Sequence, residues 1–138
     1  MDERLNLRLK EFERALEDFS KALSIQPELF PDLVADTLKS GWIQKFEFTT
    51  ELMWKTLKDY CFVKLGLDVM SPKRAVKSFF ESGACDYALY ETLLGLLDLR
   101  NSLSHMYRKK LFESAVARMT EARDAYHSLL GALSEKQD

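Results

Sequence analysis

Glycine, proline and cysteine are scarce in this chain of 138 residues, which contains five, three and two of them. Residues that interrupt helices are therefore few, whereas Leu, Ala, Glu and Lys, which favour helices, are abundant. The sequence also lacks a run of 18 apolar residues, and its first residues do not have the pattern of a signal peptide. These absences predict an all-α protein that is cytoplasmic and does not enter a membrane.

Metal-binding and redox patterns are missing as well. Cys61 and Cys85 do not have the spacing of a metal or redox motif, so we expect two reduced thiols. With His105 and His127 as the two histidines, we expect neither a metal site nor a cofactor. The net charge of −2 argues against a general nucleic-acid binder. A basic cluster of Arg100, Arg108, Lys109 and Lys110 either holds a phosphate or places positive charge where a helix C-terminus favours it.

The spacing of apolar residues predicts an up-and-down antiparallel bundle of four main helices plus a short fifth. We expect one domain over 1–133 and a flexible tail over 134–138. Gly41 lies inside the second predicted helix and can mark a close helix crossing. The predicted helices cover about 3–25, a segment from between 32 and 36 to 65, a short segment that starts at Ser71-Pro72, a segment that starts after Asp86 and runs through 105, and about 111–133.

The most informative stretch is Leu99–Tyr107, where the apolar face of the fourth predicted helix becomes polar. Continuing the helical spacing of that face leads to Arg100 and Tyr107, with Asn101 and His105 on an adjoining face. Polar groups that are buried or half-buried cost free energy unless they are paired. The stretch therefore needs an internal partner or a ligand, unless it is an ordinary helix end in solvent.

A second polar stripe lies on the second predicted helix. Glu47, Glu51 and Trp54 are spaced by four and three residues, which places them on one face. This face is either solvated, or Glu47 or Glu51 reaches across the bundle to Arg100 or His105. In the second interpretation, the carboxylate would hold the arginine in place and raise the imidazole pKa.

Both stretches resemble the motifs of a known family. Arg100–Tyr107 is similar to the R-x4-H-x-Y signature of HEPN domains, which are small helical partners of minimal nucleotidyltransferases. Phe46–Lys55 is similar to F-E-[FL]-[TA]-x-E-x-x-W-K, a hallmark of the nucleotidyltransferase substrate-binding protein group in that superfamily. The likeness extends over roughly Leu5–Leu133, and we identify the chain by resemblance as a member of this group. The resemblance implies a HEPN-like helical bundle.

RNA cleavage without a metal requires a base for the 2′-hydroxyl, an acid for the 5′-oxygen and a cation for the negative charge of the phosphorane. Arg100 is the candidate for the phosphate oxygens, and His105 for acid or base catalysis, because its unperturbed pKa lies near neutrality. Asn101 or Ser104 would orient the imidazole, and Tyr107 would donate to phosphate or stack on a base. The other candidate substrate-binding residues are Glu47, Glu51 and Trp54.

One catalytic histidine per chain favours a twofold dimer that brings two motifs into one cleft. The resemblance implies an accessory, substrate-binding subunit that binds a separately encoded nucleotidyltransferase, with a nucleotide- or RNA-phosphate-binding cleft. It also allows a ribonuclease toxin that the nucleotidyltransferase inhibits by transferring AMP to Tyr107. A third interpretation is a scaffold in which the polar cluster only holds the dimer together.

Overall fold

The computed structural model describes residues 2–105 and 109–137, with side chains for 2–103 and 109–134. Within these ranges the chain forms helices and no strand, which confirms the predicted all-α class. The helices are α1 (Glu3–Leu23), α2 (Asp32–Leu65), α3 (Pro72–Glu81), α4 (Tyr87–His105), α5 (Lys109–Ala117) and α6 (Met119–Gln137), and a 3₁₀ turn at Pro27–Leu29 joins α1 to α2. In the described part of the chain, no helix has both the length and the apolar character needed to cross a bilayer.

The helix ends follow from local sequence signals. Ser71 accepts a hydrogen bond from the backbone of Arg74 and caps α3, and Pro72 occupies the first helical position. Asp86 caps α4 by accepting a hydrogen bond from the backbone N–H of Leu89 at 2.9 Å. Gly66 ends α2 in the left-handed conformation, with a φ of 67° that disfavours other residues.

Helix α2 is the centre of the bundle and packs against every other helix. The core beside it is aromatic. Phe46 of α2 and Tyr126 of α6 lie with their rings nearly parallel and 6.4 Å apart, and Phe12 of α1 meets Tyr126 edge-on at 6.1 Å. All three side chains are fully buried. This packing holds α2 in place relative to α1 and α6. It therefore also determines which residues of α2 face α4.

The prediction of a single helix over about 111–133 is wrong, because the structure has two helices there, α5 and α6. The chain turns at Arg118, whose backbone N–H bonds to Ala115 O at 2.9 Å, three residues back instead of four. Its side chain lies over α4, where Nη2 is 3.3 Å from the position that a Cβ on Gly95 would occupy. Helix α5 therefore ends at a turn whose central side chain packs on α4. Helix α6 continues to Gln137, four residues beyond the predicted end.

Gly41 does not mark a crossing within this chain. A Cβ built at this position meets no atom within 4 Å, and the backbone has no positive φ that would require glycine.

Candidate functional site

An ion pair joins α2 to α4. The Nη2 atom of Arg100 lies 2.9 Å from Oε2 of Glu51, and the two side chains are 28% and 30% exposed. Sequence spacing placed Arg100 where an apolar face becomes polar, and Glu51 on a polar stripe of the second predicted helix. The contact agrees with the interpretation in which a carboxylate of the second helix reaches Arg100, and not with a solvated face.

Two further donors from α2 complete the surroundings of the Glu51 carboxylate. The indole Nε1 of Trp54 donates to Oε2 at 3.1 Å, and Nζ of Lys55 lies 3.4 Å from Oε1. Trp54 is half-buried and packs against the core. We call Glu51, Trp54, Lys55 and Arg100 the Glu51 cluster. It contains two cations and one carboxylate, so its formal net charge is +1.

A buried phenol lies next to this cluster. The Tyr126 hydroxyl and Thr50 Oγ1 share a hydrogen bond of 2.6 Å, and Thr50 Oγ1 also lies 2.7 Å from Phe46 O. Burial raises the pKa of Tyr126, while the bond to Thr50 and the positive charge of Arg100 oppose the rise. Arg100 is thus close enough to act electrostatically on a group in the core.

A groove of about 520 Å³ lies between the start of α2 and α5. Its lining includes Lys39, Ser40 and Lys109, together with the half-buried ring of Phe112. Ser40 precedes Glu51 by 11 residues, a spacing that puts both on the same side of α2. The groove and the Glu51 cluster therefore follow one side of the central helix.

Comparison with known proteins identifies the family. A family model described as "Nucleotidyltransferase substrate binding protein like" matches residues 7–137. The chain belongs to this family. The match confirms the assignment made by resemblance, and it spans nearly the whole sequence. No curated protein matches the chain.

A crystal structure of a protein from Thermus thermophilus has the same architecture as this family member. The TM-score is 0.77 at 28% sequence identity, and the alignment covers 88% of this chain and 98% of that chain. The helical bundle described above is therefore shared along almost the full length of a solved structure.

The structure brings together some of the residues that were predicted for a site in this family member. Arg100, Glu51 and Trp54 are in direct contact. Glu47 is half-buried one turn before Glu51 on the same side of α2, and Asn101 is exposed on α4.

The remaining predicted site residues lie at the end of α4 or beyond it. The backbones of Ser104 and His105 belong to the last turn of α4, but their side chains lie outside the described part of the structure. Tyr107 lies wholly outside the described residues. The positions of its ring and of the His105 imidazole relative to Arg100 therefore stay predictions.

The two thiols of this family member are free. Burial raises the pKa of Cys61 to about 11, and burial together with the charge of Asp86 raises the pKa of the half-buried Cys85. Both are therefore weak nucleophiles at neutral pH. Among residues 2–105 and 109–137, no group of three or more His, Cys, Asp or Glu side chains is placed to hold a metal ion.

Proposed function

We propose that this protein is the substrate-binding subunit of a two-component nucleotidyltransferase, and that it acts as a homodimer beside a separately encoded catalytic chain. Its cleft binds a nucleotide or an RNA phosphate around Arg100, His105 and Tyr107. The ion pair between Arg100 and Glu51 carries the proposal, because it joins the two stretches on which the family resemblance rests. The description of the matching family supports a nucleotidyltransferase as the partner.

The chemistry of the Glu51 cluster suits an anionic ligand. The guanidinium of Arg100 is partly exposed and is held by Glu51, so its planar donors are oriented before a ligand arrives. Lys55 adds a second, more mobile cation on the same carboxylate. A phosphate would compete with Glu51 for Arg100, and the cluster's excess positive charge favours that exchange.

The other predicted residues have supporting roles in this proposal. The exposed amide of Asn101 follows Arg100 directly on α4 and is available to a ligand. Ser104 is proposed to orient the His105 imidazole or to contact the ligand. Glu47 and Trp54 border the cleft from α2, where the indole offers an apolar surface to a base. Tyr107 would stack on that base or donate to its phosphate.

The alternative is that the protein is a ribonuclease, and it differs from this proposal in whether the protein cleaves RNA. It assigns proton transfer to His105 and makes Tyr107 the site of AMP transfer. The direct test is to incubate wild type, His105→Ala and His127→Ala with mixed RNA in EDTA. His127 is the matched control, because it is exposed on α6 and bonds to Ser20 at 3.0 Å, away from the Glu51 cluster.

We expect none of the three proteins to degrade RNA. Cleavage by wild type and His127→Ala that is lost in His105→Ala would overturn the binding-subunit proposal and make the protein a metal-independent ribonuclease.

A further inference from the structure

The groove between the start of α2 and α5 is a concave site whose walls carry charges of both signs. Its volume of about 520 Å³ lies within the range of roughly 300–1,000 Å³ that is usual for small-ligand pockets. Asp36 and Lys39 line it from α2, and Lys109 and Glu113 line it from α5. The acid and the lysine of each wall are three or four residues apart, which places them on one face of their helix.

These four charged groups are not paired with one another. In the described part of the chain, none of them forms an ion pair or a hydrogen bond, although opposite charges line the same groove. A ligand can therefore bind to two acceptors and two cations without first breaking an internal ion pair. A nucleotide is complementary to this set, because it has hydrogen-bond donors on its base and negative charge on its phosphate.

The apolar part of the groove suits a nucleobase. The ring of Phe112 is half-buried in the groove wall, and Val116 lies one turn further along α5. Proteins that bind single strands stack the unpaired bases on aromatic side chains. Lysines neutralise the phosphates of the same strands, and Lys39 and Lys109 are placed for this on opposite walls.

The two carboxylates determine which base fits. An ionised carboxylate accepts hydrogen bonds and donates none. Guanine has two neighbouring donors on its Watson–Crick edge, N1–H and the N2 amino group, which match the two oxygens of one carboxylate. Adenine, cytosine and uracil each have an acceptor next to their donor, and this acceptor would repel the second oxygen. Asp36 and Glu113 therefore favour guanine.

We infer that the groove is a nucleobase subsite that selects guanine, and that it extends the cleft at the Glu51 cluster so that a single-stranded oligonucleotide fits. Ser40 in the groove and Glu51 lie on the same side of α2, 11 residues or about 16 Å apart. About five stacked nucleotides span this distance at about 3.4 Å each. The placement of a phosphate of the same strand on Arg100 rests on the proposed function, whereas the selectivity of the groove for guanine does not.

The binding of two labelled RNA strands, measured by fluorescence anisotropy at one salt concentration, tests the inference. One strand has eleven uridines, and the other has guanine in place of the central uridine. Five nucleotides flank the centre on each side, so a strand that lies along α2 in either direction reaches Arg100. Wild type should bind the guanine strand at least about fivefold more tightly, because a bidentate base contact discriminates by that factor or more.

Removing both carboxylates should abolish this preference. Asp36→Asn combined with Glu113→Gln keeps the side-chain sizes but replaces one acceptor oxygen of each group by a donor, so the two strands should bind within about twofold of each other. The matched control is Glu13→Gln combined with Glu17→Gln, because these acids of α1 are also exposed, lie outside the groove and give the same change in net charge. This control should keep the preference of wild type.

The ratio of the two affinities is the decisive quantity, because the loss of two negative charges strengthens the binding of both strands alike. Equal binding of the two strands by wild type, a preference that survives without the groove carboxylates, or its equal loss in the control would overturn the inference. Arg100→Ala should weaken the binding of both strands and keep the preference for guanine. Unchanged binding of both strands by Arg100→Ala would contradict the proposed function and leave the guanine subsite in place.

Discussion

Glu51 receives three donors from two helices, which determines how Arg100 can act. An ion pair whose side chains are about 30% exposed contributes on the order of 1 kcal/mol to folding, so stability is a minor consequence of the contact. Its larger effect is positional, because it holds the guanidinium at the surface of the bundle. Replacing Arg100 leaves Glu51 with Trp54 and Lys55 as partners, and the fold should tolerate the change.

At the residue scale, part of the Glu51 cluster could be predicted from the sequence. Helical spacing placed Arg100 where an apolar face becomes polar and Glu51 on a polar stripe of the second helix, and a contact between the two helices was one way to pair them. The spacing could not show whether Glu47 or Glu51 contacts Arg100, because the contact depends on how far α4 is displaced along α2. The bond from Trp54 to Glu51 depends on a side-chain rotamer and left no signal in the sequence.

The buried thiol of Cys61 makes stability depend on pH. An unfolded chain releases this proton at a pH of about 8.5, whereas burial raises the folded pKa to about 11. Below pH 8.5 both states hold the proton and stability is unaffected. Between about 8.5 and 11 the unfolded state binds fewer protons than the folded state, so the free energy of unfolding falls as pH rises.

Urea unfolding at pH 8, 9.5 and 11 measures this dependence. We expect Cys61→Ala to have a shallower decline than wild type, although its stability at pH 8 is lower because a buried side chain has been shortened. Cys85→Ala, which removes the half-buried thiol, is the matched control and should keep most of the decline. An unchanged slope in Cys61→Ala would show that Cys61 does not titrate as its burial implies.

At the scale of elements, the helix ends that could be predicted are those determined by residues close to them in the sequence. Ser71 and Asp86 cap α3 and α4 because their side chains reach nearby backbone N–H groups. The break at Arg118 could not be predicted, because Val116–Thr120 contains neither glycine nor proline. At the break, Arg118 lies against Gly95, a contact across 23 residues that only the folded chain contains.

Replacing Gly66 and Gly131 with alanine should change the free energy of unfolding in opposite directions. Gly66 ends α2 with a φ of 67°, so Gly66→Ala should lower the free energy of unfolding by about 1–2 kcal/mol. Gly131 lies inside α6 with open space around it, so Gly131→Ala should raise it by up to about 1 kcal/mol. Urea unfolding at neutral pH measures both, and changes of the same sign would contradict these assignments.

At the scale of the whole molecule, α2 links the functional surfaces. It is 34 residues long, which corresponds to about 50 Å at 1.5 Å per residue. One side of α2 packs on the core, and another carries the Glu51 cluster and the groove near Lys39.

The binding of ATP to two arginine variants tests the central proposal most directly. Arg100→Ala removes the cation of the Glu51 cluster. Arg8→Ala is the matched control, because Arg8 is also about one-third exposed and pairs with an α2 carboxylate, that of Asp59, at 3.0 Å. Arg100→Ala should lose little thermal stability, whereas Arg8→Ala should lose more, because the carboxylate of Asp59 is buried and would keep only Arg4 as a partner.

In isothermal titration calorimetry, wild type and Arg8→Ala should bind ATP with similar affinity, whereas Arg100→Ala should bind at least about tenfold more weakly, a loss of about 1.4 kcal/mol. Equal binding by all three proteins, or an equal loss in both variants, would contradict a ligand-binding role for Arg100 and leave it a structural ion pair.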